Sequence, residues 1–384
     1  MKITDIEVIK WNPGTGKNFI YIKLTTDAGI SGWGEAYAQA DRDIQIEAHI
    51  DQLSRYLIDR DPFHIRHFMH IAHEDFATER SAMDLHCALS GIEIAMWDIV
   101  GKTVEQPIYN LIGGPVRPHI RVYANGWGQG SPDDKAQEAA ELVEQRGFNA
   151  LKFDPFPGPW REYPNRDELA EAADTVGKVR EAVGPHVELL IEVHRRLAPV
   201  HAISAAKQME KYNPYWFEEP CPPDNIDAIL EVKNNTTIPV VTGEAHYTRN
   251  GFREIFDKRA VDIINPDICN TGGILELTQI AAMAQPHYIA VSPHGYNSTS
   301  VGCAAAVHAS ATIPNFLIYE YFVNVEDVCR NITKGYLEPN NSYIELPAEP
   351  GLGIEIDETK LADYPYAPFP PRDIRTVEDE RRWH

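Results

Sequence analysis

The sequence predicts an α/β protein: a (β/α)8 barrel preceded by a smaller α+β domain. Three observations carry this. From about His119 onward, short apolar strands alternate with amphipathic helical stretches, giving eight strands with seven helices between them. The first 110 or so residues differ, placing three strands ahead of two long helical patterns. The chain has 384 residues, 43% hydrophobic and 24% charged, an ordinary globular composition with enough length for two domains or one large barrel. That composition excludes a disordered chain, a collagen and a coiled coil. A doubly wound parallel sheet is the other architecture the alternation allows.

The elements follow in order. Ile3–Ile9 alternates as a strand, Asn12–Gly16 breaks it, Phe19–Thr25 is a second strand and Ile30–Glu35 a third after the Asp27-Ala-Gly turn. Helical periodicity runs over Ile44–Ile58 and Ser81–Lys102 and ends near Gly113-Gly114. The repeating part then reads Ile120–Ala124, Ala150–Phe153, Glu188–Val193, Tyr215–Glu218, Val240–Glu244, Ile263–Asn265, Ile289–Ser292 and Phe316–Tyr319 as strands. The helices between them are Ala136–Gln145, Glu168–Val183, Ala202–Lys211, Ala228–Lys233, Gly251–Asp257, Ile274–Ala284 and Val301–Ala311. The pattern for an eighth helix is weak. A strand-like Ser342–Leu346 and a Pro-rich Tyr364–Arg372 stretch close the chain as surface wrapping.

Charge and cysteine content narrow the function. A formal net charge of −22 opposes binding to nucleic acid or an anionic membrane. The five cysteines are scattered, no CxxC occurs and an odd count leaves at least one thiol unpaired. The charged, alternating start is not a signal peptide, and no apolar stretch reaches the roughly 20 residues of a membrane span. A reduced, cytoplasmic protein is expected. No GxxxxGK[ST] or GxSxG motif is present.

In a barrel, residues at strand C-termini face the active site. Read in order these are Lys152, Glu192, Glu218, Glu244, Asp267, His294 and Glu320. Glu192, Glu218 and Glu244 are spaced by 26 residues each time, which sets three carboxylates at one height on neighbouring strands. Such a set must be protonated or hold a hard cation, and all-oxygen ligation fits Mg²⁺. Asp267 beside His294 would fix the imidazole tautomer and raise its basicity, making a general base. His194, two residues after Glu192, can be a ligand, a general acid or a bystander; with three carboxylates at hand the acid role is favoured. Lys152 is expected to be kept charged by Asp154, two residues on, and to give electrostatic support. A barrel-rim ion pair is the structural alternative. Burial of Glu320 in an aromatic run would raise its pKa and let it donate a hydrogen bond to a developing enolate oxygen.

These residues resemble the enolase superfamily, specifically its mandelate racemase subgroup, over nearly the whole chain. The motifs that carry the resemblance are Phe217-Glu-Glu-Pro, Gly243-Glu244, Pro266-Asp267 with Gly272-Gly273, and Pro293-His294 with Glu320 after it. The resemblance implies a modified TIM barrel of the (β/α)7β type. It divides the chain into an α+β capping domain (1–115), the barrel (116–325) and a C-terminal segment returning to the cap (326–384). It also implies Mg²⁺ held by Glu192, Glu218 and Glu244, a His294–Asp267 base, and abstraction of a proton α to a carboxylate. Glu192 stands where the subgroup usually has Asp. Lys152-x-Asp154 stands where racemase-type members have Lys-x-Lys, which disfavours two-base racemisation. Glu192-Val-His194 resembles sugar-acid dehydratases of the galactonate and gluconate type, in which the third-strand His protonates the departing 3-hydroxyl.

The resemblance therefore implies a hydro-lyase that converts an aldonate to a 2-keto-3-deoxy acid. A cycloisomerase of a lactone or anhydro sugar acid, an epimerase or racemase, and a non-catalytic sugar-acid sensor are the alternatives. Expected substrate contacts are Tyr37, Trp127, Asp154, Arg195 and Tyr296, with the Asn12–Lys17 and Tyr37–Arg42 segments reading distal hydroxyls. The expected partner is a small sugar acid, and the expected assembly is a homo-oligomer built from dimers, up to an octamer.

Overall fold

Three antiparallel strands, β1 (Ile3–Trp11), β2 (Phe19–Thr26) and β3 (Ser31–Ala36), open the chain in that spatial order. The structure is a computed structural model that describes residues 1–38, 41–75, 81–158, 161–295, 298–369 and 377. Helices α1 (Asp43–Leu53), α2 (Ile65–Met69), α3 (Met83–Thr103) and α4 (Ile108–Leu111) follow. The sheet lies directly on α3. A Cβ at Gly34 would collide with the Gly91 carbonyl, and one at Gly32 with the Ala95 carbonyl, so only glycine permits this approach.

The rest of the chain alternates as the periodicity requires. The parallel strands are β4 (His119–Asn125), β5 (Ala150–Phe153), β6 (Glu188–Glu192), β7 (Trp216–Glu218), β8 (Val240–Thr242), β9 (Ile263–Ile264), β10 (Ala290–Val291) and β11 (Tyr319–Phe322). Between them lie α5 (Pro132–Arg146), α6 (Arg166–Val183), α7 (Pro199–Met209), α8 (Ile226–Asn234), α9 (Thr248–Lys258), α10 (Gly273–Ala284) and α11 (Ser300–Thr312). Capping boxes start two of these helices, Ser131 with Asp134 and Asn165 with Glu168.

Consecutive strands pair from β4 to β10, and β11 pairs with β4. Val291 bridges Phe316, and the Leu317 N–H donates to the Val291 carbonyl at 2.8 Å, which closes the ring. The eighth strand therefore begins later than Phe316–Tyr319. Phe316 to Ile318 crosses from the β10 side, and regular pairing starts at Tyr319. Tyr123, Leu190, Trp216 and Val241 fill the barrel interior, making it a packed floor and not a pore.

After β11 come a seven-residue α12 (Glu326–Ile332), β12 (Thr333–Lys334), β13 (Tyr343–Glu345), β14 (Glu355–Ile356) and α13 (Glu358–Leu361). Strand β13 pairs antiparallel with β4, and β12 pairs with β14. The chain then reaches the first sheet again, where Pro365 bridges Trp11 and the Asn12 N–H donates to the Tyr364 carbonyl.

Two buried carboxylates fasten the first 113 residues to the barrel. Glu35 in β3 accepts from Thr299 N–H and Gly302 N–H, both at 2.7 Å, at the start of α11. Glu93 in α3 accepts from Ile274 N–H and Leu275 N–H, at 2.8 and 3.0 Å, at the start of α10. These N–H groups have no partner within their own helix, and the helix dipole favours negative charge there. Burial still dominates both acids, pushing Glu35 up to about 8 and Glu93 up to about 7. All five cysteines are free and buried. Among the described residues no helix is long and apolar enough to cross a membrane.

Candidate active site

The C-terminal ends of the barrel strands open into a cavity of about 1050 Å³ that the first domain partly covers. Of the seven residues expected at strand ends, Lys152, Glu192, Glu244 and His294 line the cavity, and Glu218, Asp267 and Glu320 lie fully buried against Lys152 and His294. Glu192 and Glu218 are direct register partners on β6 and β7, and Glu244 follows two residues after β8. One oxygen from each lies within 4.8 Å of the others, and all three are buried. Trp216 Nε1 and Asn265 Nδ2 donate to the two oxygens of Glu218, at 2.8 and 2.9 Å, which fixes that carboxylate. Burial and the Glu192 charge push Glu218 well up, whereas His194 and Lys152 hold Glu192 low against its own burial. Crowded, buried, all-oxygen donors of this kind fit a divalent metal site.

Lys152 stands inside this cluster. Its ammonium lies 3.2 Å from Glu192, 2.7 Å from Glu218 and 2.7 Å from Glu320. Burial works against the charge, but Glu218, Glu320 and Glu192 hold Lys152 protonated well above the ordinary lysine value. This corrects the expectation that Asp154 keeps it charged. The alternation of β5 turns Lys152 into the barrel axis, and Asp154 lies beyond the strand end, against another residue.

Glu320 is also corrected. It lies second in β11 and not at a strand end, where it accepts from Asn125 Nδ2 at 2.6 Å and Gly295 N–H at 2.7 Å. Burial would raise it, but Lys152 and His294 outweigh burial and hold it below the ordinary glutamate value. It is an ionised acceptor and not the protonated donor expected.

His294 and Asp267 occupy loops after β10 and β9. His294 Nδ1 is 2.7 Å from Asp267 Oδ2, and Cys269 N–H donates to Asp267 Oδ1 at 2.8 Å. A carboxylate only accepts here, so Nδ1 keeps a proton in either charge state of the ring, and Nε2, which faces Glu244 at 3.0 Å and Glu320 at 3.5 Å, is the nitrogen at which the second proton is gained or released. Burial disfavours an imidazolium, but Glu320 and Asp267 overcome it and raise His294 above the ordinary value. Such a ring can take a proton at Nε2 and keep it.

On the opposite wall, His194 Nδ1 is 2.8 Å from Asp154 Oδ2, and Arg196 is ion-paired with the same carboxylate. His194 and Arg195 both have left-handed backbones, with φ of +57° and +61°. Neither is glycine, so each costs about 1–3 kcal/mol. Neighbouring bonds hold the strained turn: His194 N–H donates to Glu192 Oε1 and Arg195 N–H to the Glu219 carbonyl, both at 2.7 Å.

Of the expected substrate contacts, Tyr37, Trp127, Asp154 and Arg195 line the cavity. The Tyr37 ring centroid is 6.2 Å from that of His294. Trp127 donates its indole N–H to the Ala124 carbonyl and offers only its ring, and Arg195 is ion-paired with Glu244. Tyr296 lies outside the described residues. Thr15 and Lys17 of the expected Asn12–Lys17 segment line the cavity, as do Tyr37 and Ala38 of the Tyr37–Arg42 segment, in which residues 39 and 40 lie outside the described residues.

Sequence reasoning missed Asn125, Asn265 and Trp216, and it read Arg195-Arg196 as cations for an anionic substrate or as solvated loop charges, whereas Arg196 is buried against Asp154. Asn125 and Asn265 sit at or just past strand ends, and the rule that found the glutamates would have found them had amides been read with the charged residues. Trp216 lies at the start of a strand, and no sequence signal marks it.

The chain matches known proteins over both parts. The family model for the mandelate racemase / muconate lactonizing enzyme N-terminal domain matches residues 12–113. The model described as enolase C-terminal domain-like matches residues 134–360. The chain is 33% identical to the D-xylonate dehydratase of Haloferax volcanii, covering 88% of this chain and 83% of that protein. It is 32% identical to the D-gluconate/D-galactonate dehydratase of Picrophilus torridus, covering 88% and 86%. A crystal structure of a mandelate racemase/muconate lactonizing enzyme from Jannaschia sp. CCS1 superposes with a TM-score of 0.89 at 30% identity, over 96% of this chain and 98% of that one. With a barrel closed behind a buried glutamate triad and both of its parts matched, the chain belongs to the mandelate racemase/muconate lactonizing enzyme family of the enolase superfamily.

Proposed function

We propose that this protein is a Mg²⁺-dependent dehydratase of a sugar acid, an aldonate of the galactonate or gluconate kind, and forms a 2-keto-3-deoxy acid. The observation that carries the reading is the pair of imidazoles on opposite walls of one cavity, each held at Nδ1 by an aspartate, with the carboxylate triad between them. Dehydration needs one group to take a proton and a second to give one. The names of the relatives above support the same reaction.

In this reading Glu192, Glu218 and Glu244 would hold the ion. When bound, Mg²⁺ would supply Lewis-acid stabilisation of the negative charge that develops on the substrate carboxylate. His294, oriented by Asp267, takes the proton from C2. Lys152, fixed and charged, adds a preorganised positive field to the floor of the site, where the developing charge lies. His194 gives a proton to the hydroxyl on C3, which leaves as water. The enol that remains tautomerises to the ketone. Tyr37, Trp127 and Arg195 line the space for the distal hydroxyls. The free, buried thiols suit a reducing cytoplasm, and a dimer-based homo-oligomer completes the proposal.

The test is a panel of aldonic and aldaric acids incubated with the protein and Mg²⁺. The expected result is loss of water and a 2-keto-3-deoxy product from at least one aldonate. Inversion at C2 without loss of water would make it an epimerase. Ring opening of a lactone or anhydro acid would make it a cycloisomerase, and tight binding without turnover a sensor. Each of these would overturn the dehydratase reading.

A further inference from the structure

Asp154 has the setting of a group that works through its neighbour. Its Oδ1 accepts from Phe156 N–H at 2.9 Å, and its Oδ2 meets both His194 Nδ1 and the Arg196 guanidinium. Arg196 is buried and is itself fixed, with Nε donating to the Val193 carbonyl at 2.7 Å and the guanidinium 5.3 Å from the centre of the Phe156 ring. Both oxygens of Asp154 are thus committed to the protein. That geometry suits orientation better than the substrate contact expected from sequence.

The barrel topology sharpens this. Asp154 follows β5 and His194 follows β6, the second and third barrel strands. Asp267 follows β9 and His294 follows β10, the sixth and seventh. Each aspartate comes from the strand before its histidine, and the two pairs lie four strands apart in a ring of eight. The same Nδ1–carboxylate arrangement therefore occurs twice, once on each side of the barrel axis. His194 Nδ1 faces Asp154 Oδ2 at 2.8 Å and an Arg196 guanidinium nitrogen at 3.4 Å; the shorter contact is to a carboxylate that only accepts, which keeps a proton on Nδ1 and makes Nε2 the nitrogen whose proton is given up.

We infer that Asp154, anchored by Arg196, is the positioning residue of a second Asp–His pair that aims His194 Nε2 at the departing hydroxyl. The inference rests on the dehydratase reading and assigns a residue within it. The C3–O bond breaks, and its electron pair goes to the oxygen. As the C2=C3 double bond forms, that oxygen takes the Nε2 proton of the His194 imidazolium and leaves as water, and the neutral ring that remains is the Nδ1–H tautomer held by Asp154. The C2 proton is held by His294. The enol loses its O–H proton and gains one at C3.

The test separates the two proton transfers. Wild type, Asp154→Asn, His194→Asn and the double variant are each incubated with the converted sugar acid and Mg²⁺ in D₂O. Formation of the keto product reads elimination, and exchange at C2 in recovered substrate reads the His294 step. Asp154→Asn is expected to lower kcat for elimination by about 10²-fold or more, with KM nearly unchanged and C2 exchange retained. The double variant should be no slower than His194→Asn alone, because both changes act on one proton transfer. Full elimination by Asp154→Asn, with wild type active, overturns this inference alone. So does an additive double variant, or exchange and elimination falling together. Should Asp154→Asn not fold, Arg196→Met, which frees the same carboxylate, is expected to give the same partition, and its failure to do so overturns the inference. A wild type that eliminates nothing overturns this inference and the dehydratase reading together.

Discussion

Replacing Glu35 by Gln should make the stability of this protein less dependent on pH. Glu35 is fully buried where the first sheet meets the start of α11, and burial lifts it from the ordinary 4.5 to about 8. The folded state therefore binds this proton more tightly than the unfolded state does. Stability from the group is complete below about pH 4.5 and is lost as pH rises through about 8. The slope is about 1.4 kcal/mol per pH unit, so the loss across that window is roughly 5 kcal/mol. Glutamine does not titrate. Urea melts of wild type and variant at about pH 5, 6.5 and 8.5 should show the difference moving in the variant's favour by several kcal/mol as pH rises. A difference that stays constant with pH would refute the reasoning. It would mean that the two helix N–H groups and the Thr299 hydroxyl keep Glu35 ionised throughout.

Three further outcomes follow from named contacts. Asp267→Asn lets an amide face His294 Nδ1 in place of an acceptor, so kcat should fall by about 10²–10⁴-fold with KM little changed; steady-state kinetics near wild-type rates would sink the base assignment. Glu218→Gln removes one charge from the triad and should weaken Mg²⁺ or Mn²⁺ binding measured by calorimetry by at least about tenfold; unchanged affinity would place the ion elsewhere. Gly34→Ala drives a methyl into the Gly91 carbonyl and should cost about 1–3 kcal/mol, read as a lower thermal midpoint; an unchanged midpoint would show that β3 and α3 can separate at no cost.

The barrel was legible because it is periodic. Eight apolar strands alternating with helices leave few topologies, and the equal spacing of Glu192, Glu218 and Glu244 follows from repeating units of similar length. Charged strand ends were legible for the same reason. What the sequence hid depends on contacts between distant segments. Lys152 and Asp154 are two residues apart, yet one serves the axial cluster and the other His194, because the strand ends between them. Burial alone does not set the protonation of Glu320, because Lys152, which arrives from β5, holds it low. Glu35 and Glu93 carry no local sign that they cap helices more than 180 residues away. The start of the eighth strand moved because Phe316 bridges β10 before Tyr319 joins β4.

The most direct measurement follows the C2 hydrogen of the converted sugar acid. Wild type and His294→Asn are incubated with that substrate and Mg²⁺ in D₂O, and the loss of the C2 proton is followed by NMR. Wild type should remove it at a rate no slower than product formation. His294→Asn should be slower by about 10²–10⁴-fold while still folding and binding the ion. Removal of the C2 proton by His294→Asn at the wild-type rate would contradict the central claim that the Asp267-held imidazole begins the reaction.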